Sequence, residues 1–198
     1  MIARVMVAAA LAGAVAMPVI AQGGGAGGGT RTPPPPAGPS VGEMAPDFTG
    51  VAANKDGTLK APIHLADLKG KTVVLAFFPR ARTSGCTMQM TSYRDQYATL
   101  FNAGKDVVLL AISNDADTTQ TNWAKEANFP FTFVSDKDGA IGLKYGSMTE
   151  TAKTAERRYL YVIDPSGKIV HTAKQFQPAR PQDYTDLGDA IKKANGAK

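Results

Sequence analysis

The sequence predicts an α/β domain with a central mixed β-sheet and helices on both faces. Three observations carry this. Residues 72–78 and 107–112 are apolar runs with almost no polar residue, as strands buried on both faces require. A stretch of helical period lies between them, so the two strands fit a parallel pair joined by a right-handed crossover. Near the end of the chain, residues 158–163 and 168–171 flank Asp164, Pro165, Ser166 and Gly167. Asp, Pro and Gly at the first, second and fourth positions suit a type I turn, hence an antiparallel hairpin.

The chain opens with Arg4 and an apolar run over residues 5–20. This fits a secretory signal peptide over residues 1–21, cut after Ala21. The alternative is a retained membrane anchor. The run is short for a span and contains Gly13 and Pro18, which favours cleavage and a periplasmic or secreted protein without stable membrane insertion. Residues 22–40 hold two Gly triplets and Pro33 to Pro36, a composition that gives a disordered linker with no core. Residues 41–198 then form one domain, long enough to bury a core without staples.

Within that domain residues 41–48 read as an extended lead-in with Phe48 as a core anchor. Asp56-Gly57 marks a hairpin turn. Residues 64–70 read as one helical turn ending at Gly70. After the strand at 72–78, Met90, Tyr93, Tyr97, Leu100 and Phe101 recur at helical spacing, with a stop at Gly104. Asn114 to Asp117 offer caps to a helix containing Trp123 and Ala127. Residues 131–134 are a third strand, and Asp138-Gly139 starts a short helix over Ile141 and Leu143. Residues 146–156 show no period and read as a surface loop. Residues 181–195 form an amphipathic helix with Tyr184, Leu187 and Ile191 on one face. This order of elements suggests the thioredoxin-like class.

The net charge is +5, or +4 without Arg4, and no dense basic run occurs. A solvated surface accounts for it, and nucleic-acid binding is not indicated. Cys86 is the only cysteine, so no intrachain disulfide can form. His64 and His171 lack companions at ligand spacing, so no metal site is expected. Pro79 stops the first strand, having no N–H for a ladder. Cys86 therefore falls at a strand-to-helix turn, in the first turn of a helix. Unpaired amides and the helix dipole place positive charge there, and Arg80 and Arg82 can add to it. Such a setting favours the thiolate, the nucleophilic form of cysteine. In open α/β sheets the carboxyl ends of parallel strands are also where active sites lie.

Pro79, Thr83 and Cys86 complete a Pro-x-x-x-Thr-x-x-Cys pattern that resembles the peroxiredoxins. The flanking residues 41–48, 66–71, 94–95, 111–113 and 158–167 resemble the bacterioferritin-comigratory-protein type, and the resemblance spans residues 41–198. It implies a thioredoxin-dependent-type peroxidase with no cofactor. Cys86 would attack peroxide and become sulfenic acid. Thr83 would hydrogen-bond thiolate and peroxide, Pro79 would shield the sulfur, and Arg158 would lie beside it. Arg157 is a rival to Arg158, because strand register can slip by one residue. Relatives of this type often carry a resolving cysteine five positions on, where this chain has Thr91. Ser84 stands where proline is common. A one-cysteine cycle is implied, its reductant an external thiol: a thioredoxin-like protein, a glutaredoxin or a low-molecular-weight thiol. A monomer or a homodimer is equally compatible.

Each site residue also has a plainer reading. Cys86 could be an inert core thiol, Thr83 a helix cap, Arg158 a surface ion-pair residue. Arg94 reads as structural or as a buttress of the site, and Tyr93 and Tyr97 as core. Two rival functions follow: a non-catalytic thioredoxin-like module, and a partner-directed thiol oxidoreductase, whose chemistry normally needs two cysteines.

Overall fold

The computed structural model describes residues 38–196. The leader and nearly all of the linker read from the sequence lie outside the described residues. The last linker positions do not: Pro39 is buried, and Gly38 takes φ +63 against the Tyr145 carbonyl, where a Cβ would clash. Residues 38–40 therefore belong to the folded body, which corrects the boundary at 41.

The strands are β1 (Thr49–Asn54), β2 (Gly57–Thr58), β3 (Ile63–His64), β4 (Thr72–Phe77), β5 (Val107–Ser113), β6 (Thr132–Ser135), β7 (Leu160–Ile163) and β8 (Ile169–Ala173). The helices are α1 (Ser84–Asp95), α2 (Tyr97–Leu100), α3 (Asp117–Glu126), α4 (Ala140–Tyr145) and α5 (Pro181–Asn195). The sheet runs β2-β1-β6-β5-β4-β7-β8, with β3 paired to β1. The β4/β5 and β5/β6 pairs are parallel, and β7 and β1 run antiparallel to their neighbours. The mixed sheet and the thioredoxin-like class are as the sequence predicts.

β4 lies inside the sheet, between β5 and β7, because all six of its residues are apolar or can be satisfied when buried. Its alternate residues serve two cores. Val74, Ala76 and the following Phe78 pack with α1, α3 and α5; Val73, Leu75 and Phe77 pack with α4 and Phe48. Burying Phe77 and Phe78 fully contributes about 2–3 kcal/mol each. Thr72, at the mouth of the strand, gives its hydroxyl proton to Asn195 of α5. The Asp164–Gly167 turn closes by a 2.9 Å bond from the Gly167 N–H to the Asp164 carbonyl, and Asp164 Oδ1 accepts three more.

Three expectations are corrected. The helix from Cys86 to Gly104 is not continuous: Gln96 leaves helical backbone at φ −101, ψ 11 and separates α1 from α2. The break turns Tyr97 onto Phe131 and Phe101 onto Tyr93, contacts one straight helix could not make together. Residues 146–156 are not wholly a surface loop. Residues 146–149 and Glu156 are buried, tied down by Met148 N–H to the Gly142 carbonyl and Arg157 N–H to the Ser147 carbonyl. β7 begins at Leu160, two residues later than expected, because the Tyr159 N–H folds back to the Arg157 carbonyl.

Candidate active site

The carboxyl ends of β4 and β5 meet beneath the first turn of α1. The link from β4 to α1 is pinned at Phe78, whose N–H reaches the Ile112 carbonyl, and at Ala81, whose N–H reaches Asp115 Oδ2 at 2.7 Å. Asp115 also takes the Ser113 hydroxyl proton, so the end of β5 fixes the turn. Arg82 adopts φ +64 within it and is held by Glu126 of α3 at 2.8 Å. That pair is exposed, and it spends the Arg82 charge away from the sulfur. The expectation that Arg82 adds to the field at Cys86 is thereby corrected.

Cys86 is fully buried, inside the α1-side core and beside Met90 and Tyr93. Nη2 of Arg158 donates to its Sγ at 3.5 Å, across 72 residues of sequence. The guanidinium thus places positive charge directly beside an otherwise apolar, fully buried sulfur. Gly85 eases the approach, since a Cβ there would lie 3.3 Å from Nη2, a tight contact. Arg158 is half-buried and Arg157 is exposed, so the register question resolves to Arg158.

A residue the sequence reading missed completes the site. Gln89 is fully buried; its Oε1 accepts from Nη1 of Arg158, and its Nε2 donates to the Tyr93 hydroxyl at 3.0 Å. Its signal was available, because a residue three after Cys86 in a helix shares the Cys86 face. Burial holds the Tyr93 phenol well above its usual range and therefore neutral, with Gln89 pulling weakly the other way. Arg158 is fixed from behind as well: the Phe176 N–H donates to its carbonyl, and the Phe77 N–H takes the carbonyl of Tyr159.

The other predicted residues divide. Pro79 is half-buried between Phe78 and the turn. Thr83 is the residue before α1, but its hydroxyl donates to the Arg80 carbonyl at 3.0 Å and makes no cap bond. In this resting arrangement its proton is directed away from the sulfur. Arg94 donates to Asp95 and to the Ala127 carbonyl, a structural tie between α1 and the end of α3 rather than a buttress. Ser84, in the first turn of α1, is exposed, and Thr91 is half-buried. His64 pairs with the Thr49 hydroxyl.

The fold and this site define a class: a thioredoxin-like protein built around one buried, guanidinium-paired cysteine. The AhpC/TSA family matches residues 41–172, and the chain belongs to that family. It is 36% identical over 126 residues to a chloroplastic peroxiredoxin Q of Sedum lineare, covering 63% of this chain and 66% of that one. It is 36% identical over 134 residues to a putative peroxiredoxin bcp of Coxiella burnetii, covering 65% of this chain and 84% of the relative. The chain thus spans just under two thirds of the length of the chloroplastic relative. Among solved structures, the peroxidoxin BcpB of Mycobacterium tuberculosis superposes with a TM-score of 0.65 at 22% identity, over 77% of this chain and 96% of that one. The AhpC of Enterococcus faecalis gives 0.67 at 16% identity, over 79% and 93%. These likenesses agree in fold.

Proposed function

We propose that the protein is a one-cysteine thiol peroxidase that reduces hydrogen peroxide or small organic hydroperoxides. The observation that carries the reading is the Arg158 guanidinium 3.5 Å from the buried Cys86 sulfur at a helix start. A displacement at peroxide oxygen needs an anionic sulfur, an aligned O–O bond and donors for the departing oxygen. Arg158 already donates to the sulfur, the first α1 amides lack helical partners, and in this reading the Thr83 hydroxyl leaves the Arg80 carbonyl to serve the reacting oxygens. The sulfur electron pair forms an S–O bond as the O–O bond breaks. The departing alkoxide or hydroxide takes a proton and leaves as alcohol or water, and Cys86 becomes sulfenic acid.

Cys86 is the only cysteine, so the return half of the cycle uses thiols from outside. One external thiolate attacks the sulfenic sulfur, releasing water and leaving a mixed disulfide. A second thiol displaces Cys86 and departs as the oxidised dithiol or disulfide. Pro79 narrows access of water to the sulfur. The apolar leader supports action in the periplasm or outside the cell. The non-catalytic module is not favoured, since a decayed site has no use for an arginine and a buried glutamine converging on the sulfur.

Intact mass after one equivalent of hydrogen peroxide tests the reading. One added oxygen is expected in the native chain and none in Cys86→Ser. A native chain that gains no oxygen, or oxidises no faster than a free thiol, overturns it.

A further inference from the structure

Outside the sulfur site, the most unusual group is a buried acid. Glu156 lies two residues before Arg158, at the end of the segment misread as surface, and is 2% exposed. Its Oε2 takes the Ser147 hydroxyl at 2.6 Å, while its Oε1 is buried without a partner. The carboxyl occupies the room left by a missing side chain: a Cβ on Gly142 would lie 2.5 and 2.6 Å from its two oxygens. The acid facing it is Asp136, also 2% exposed, which caps α4 by accepting the N–H groups of Ile141 and Gly142. Gly142 of α4 lies against the Glu156 carboxyl, and Ser147 of the following segment bonds it. Asp136 is the one charged group acting on it.

We infer that Glu156 serves in its protonated form as a positioning residue for Arg158, joined to Asp136 as a carboxylic acid–carboxylate pair. As a carboxylate, Oε1 is an orphan beside another negative charge. As an acid, it becomes a donor and Asp136 is its acceptor. Burial pushes the Glu156 carboxyl up to about 9; the Ser147 hydroxyl opposes this, and Asp136 adds to it.

The link to the guanidinium runs through the backbone. The Arg157 N–H is bonded to the Ser147 carbonyl at 2.8 Å, and the Ser147 side chain is the one that Glu156 holds. Neutral Glu156 thus fixes the upstream side of Arg158, while Phe176 and Phe77 fix the downstream side. Ionised, it repels Asp136 and demands water, and the upstream anchor loosens.

The test has two arms, and only the second rests on the peroxidase reading. In a Cys86→Ser background, which removes the thiol, the ¹³Cζ resonance of Arg158 is followed from about pH 7 to about pH 10. With Glu156 present the resonance moves with an alkaline midpoint. With Glu156→Gln, which keeps a neutral donor, it stays put; with Asp136→Asn, which removes the repelling charge, the midpoint falls. The same drift in all three, or no drift in the native side chain, overturns the inference. In the second arm, peroxide oxidation of Cys86 slows about tenfold over the same range in the native chain, and the ratio of rates is flat in Glu156→Gln. If peroxide never oxidises Cys86 yet the resonance behaves as stated, the peroxidase reading fails and this one stands. A flat native rate ratio in a chain that peroxide does oxidise sinks the coupling.

Discussion

Gln89 and Arg158 form one unit: the amide oxygen of the first accepts from the guanidinium that lies on the Cys86 sulfur. A buried neutral side chain on α1 aims a cation carried by a different segment, and the cation keeps one Nη free for the sulfur. The arrangement makes the contribution of each partner separable by mutation.

Arg158→Met should slow Cys86 oxidation by about 10²–10³, the usual cost of removing a donor aimed at developing charge. Arg157→Met, one residue away but exposed, should stay within about twofold, because register directs its side chain elsewhere. Stopped-flow fluorescence checks both. Trp123 packs on Phe78, next to the turn, and provides the signal.

Gln89→Leu leaves an arginine Nη and a buried phenol without partners. Its stability cost should be about 1–3 kcal/mol, and oxidation should slow about tenfold as the guanidinium loses its guide. Gln89→Glu restores the acceptor, so it should recover most of the rate. Chemical denaturation and the same kinetics read the two effects apart.

Thr83→Val tests whether the hydroxyl leaves the Arg80 carbonyl to serve the reaction. Its exposed resting bond contributes little, so stability should change by less than about 1 kcal/mol. The oxidation rate should nevertheless fall about tenfold or more, with Thr83→Ser close to native. An unchanged Thr83→Val rate would leave Thr83 as only the residue that precedes the helix.

Glu156 also predicts how stability depends on pH. The unfolded chain releases this proton near the ordinary carboxyl value of 4.5, whereas the folded chain holds it to about 9. Its contribution is therefore complete below the lower value and declines as pH rises to the upper one. Glu156→Gln has nothing to release. The Tm of the variant should match the native at about pH 4 and exceed it increasingly toward about pH 9. Gly142→Ala, by contrast, should lose about 1–3 kcal/mol at any pH, since its Cβ meets the carboxyl.

The elements legible in the sequence were those whose burial is written in composition. β4 and β5 are continuous apolar runs, and α5 repeats apolar residues on one face between Pro181 and Asn195. Cys86 was legible from its place after a strand and before a helical period. Less visible were features that depend on polar groups buried in pairs. Gln89, Glu156 and Asp136 are each hydrophilic by type, and only their partners, distant in sequence or across a turn, make burial tolerable. The break at Gln96 carries neither Gly nor Pro; packing of Tyr97 and Phe101 imposes it. Arg82 looked like a neighbour of the sulfur until α3 supplied Glu126.

The Phe176 bond to the Arg158 carbonyl has a consequence for biosynthesis. During translation Cys86 is polymerised long before Arg158, and Arg158 before the segment that seats it. A ribosome-bound chain ending ahead of Phe176 already holds Cys86 and its parent strand, yet lacks the clamp that aims the guanidinium. The segment that seats the guanidinium is thus made after both the cysteine and the arginine, and a chain ending ahead of Phe176 carries the two without the bond that holds them in register.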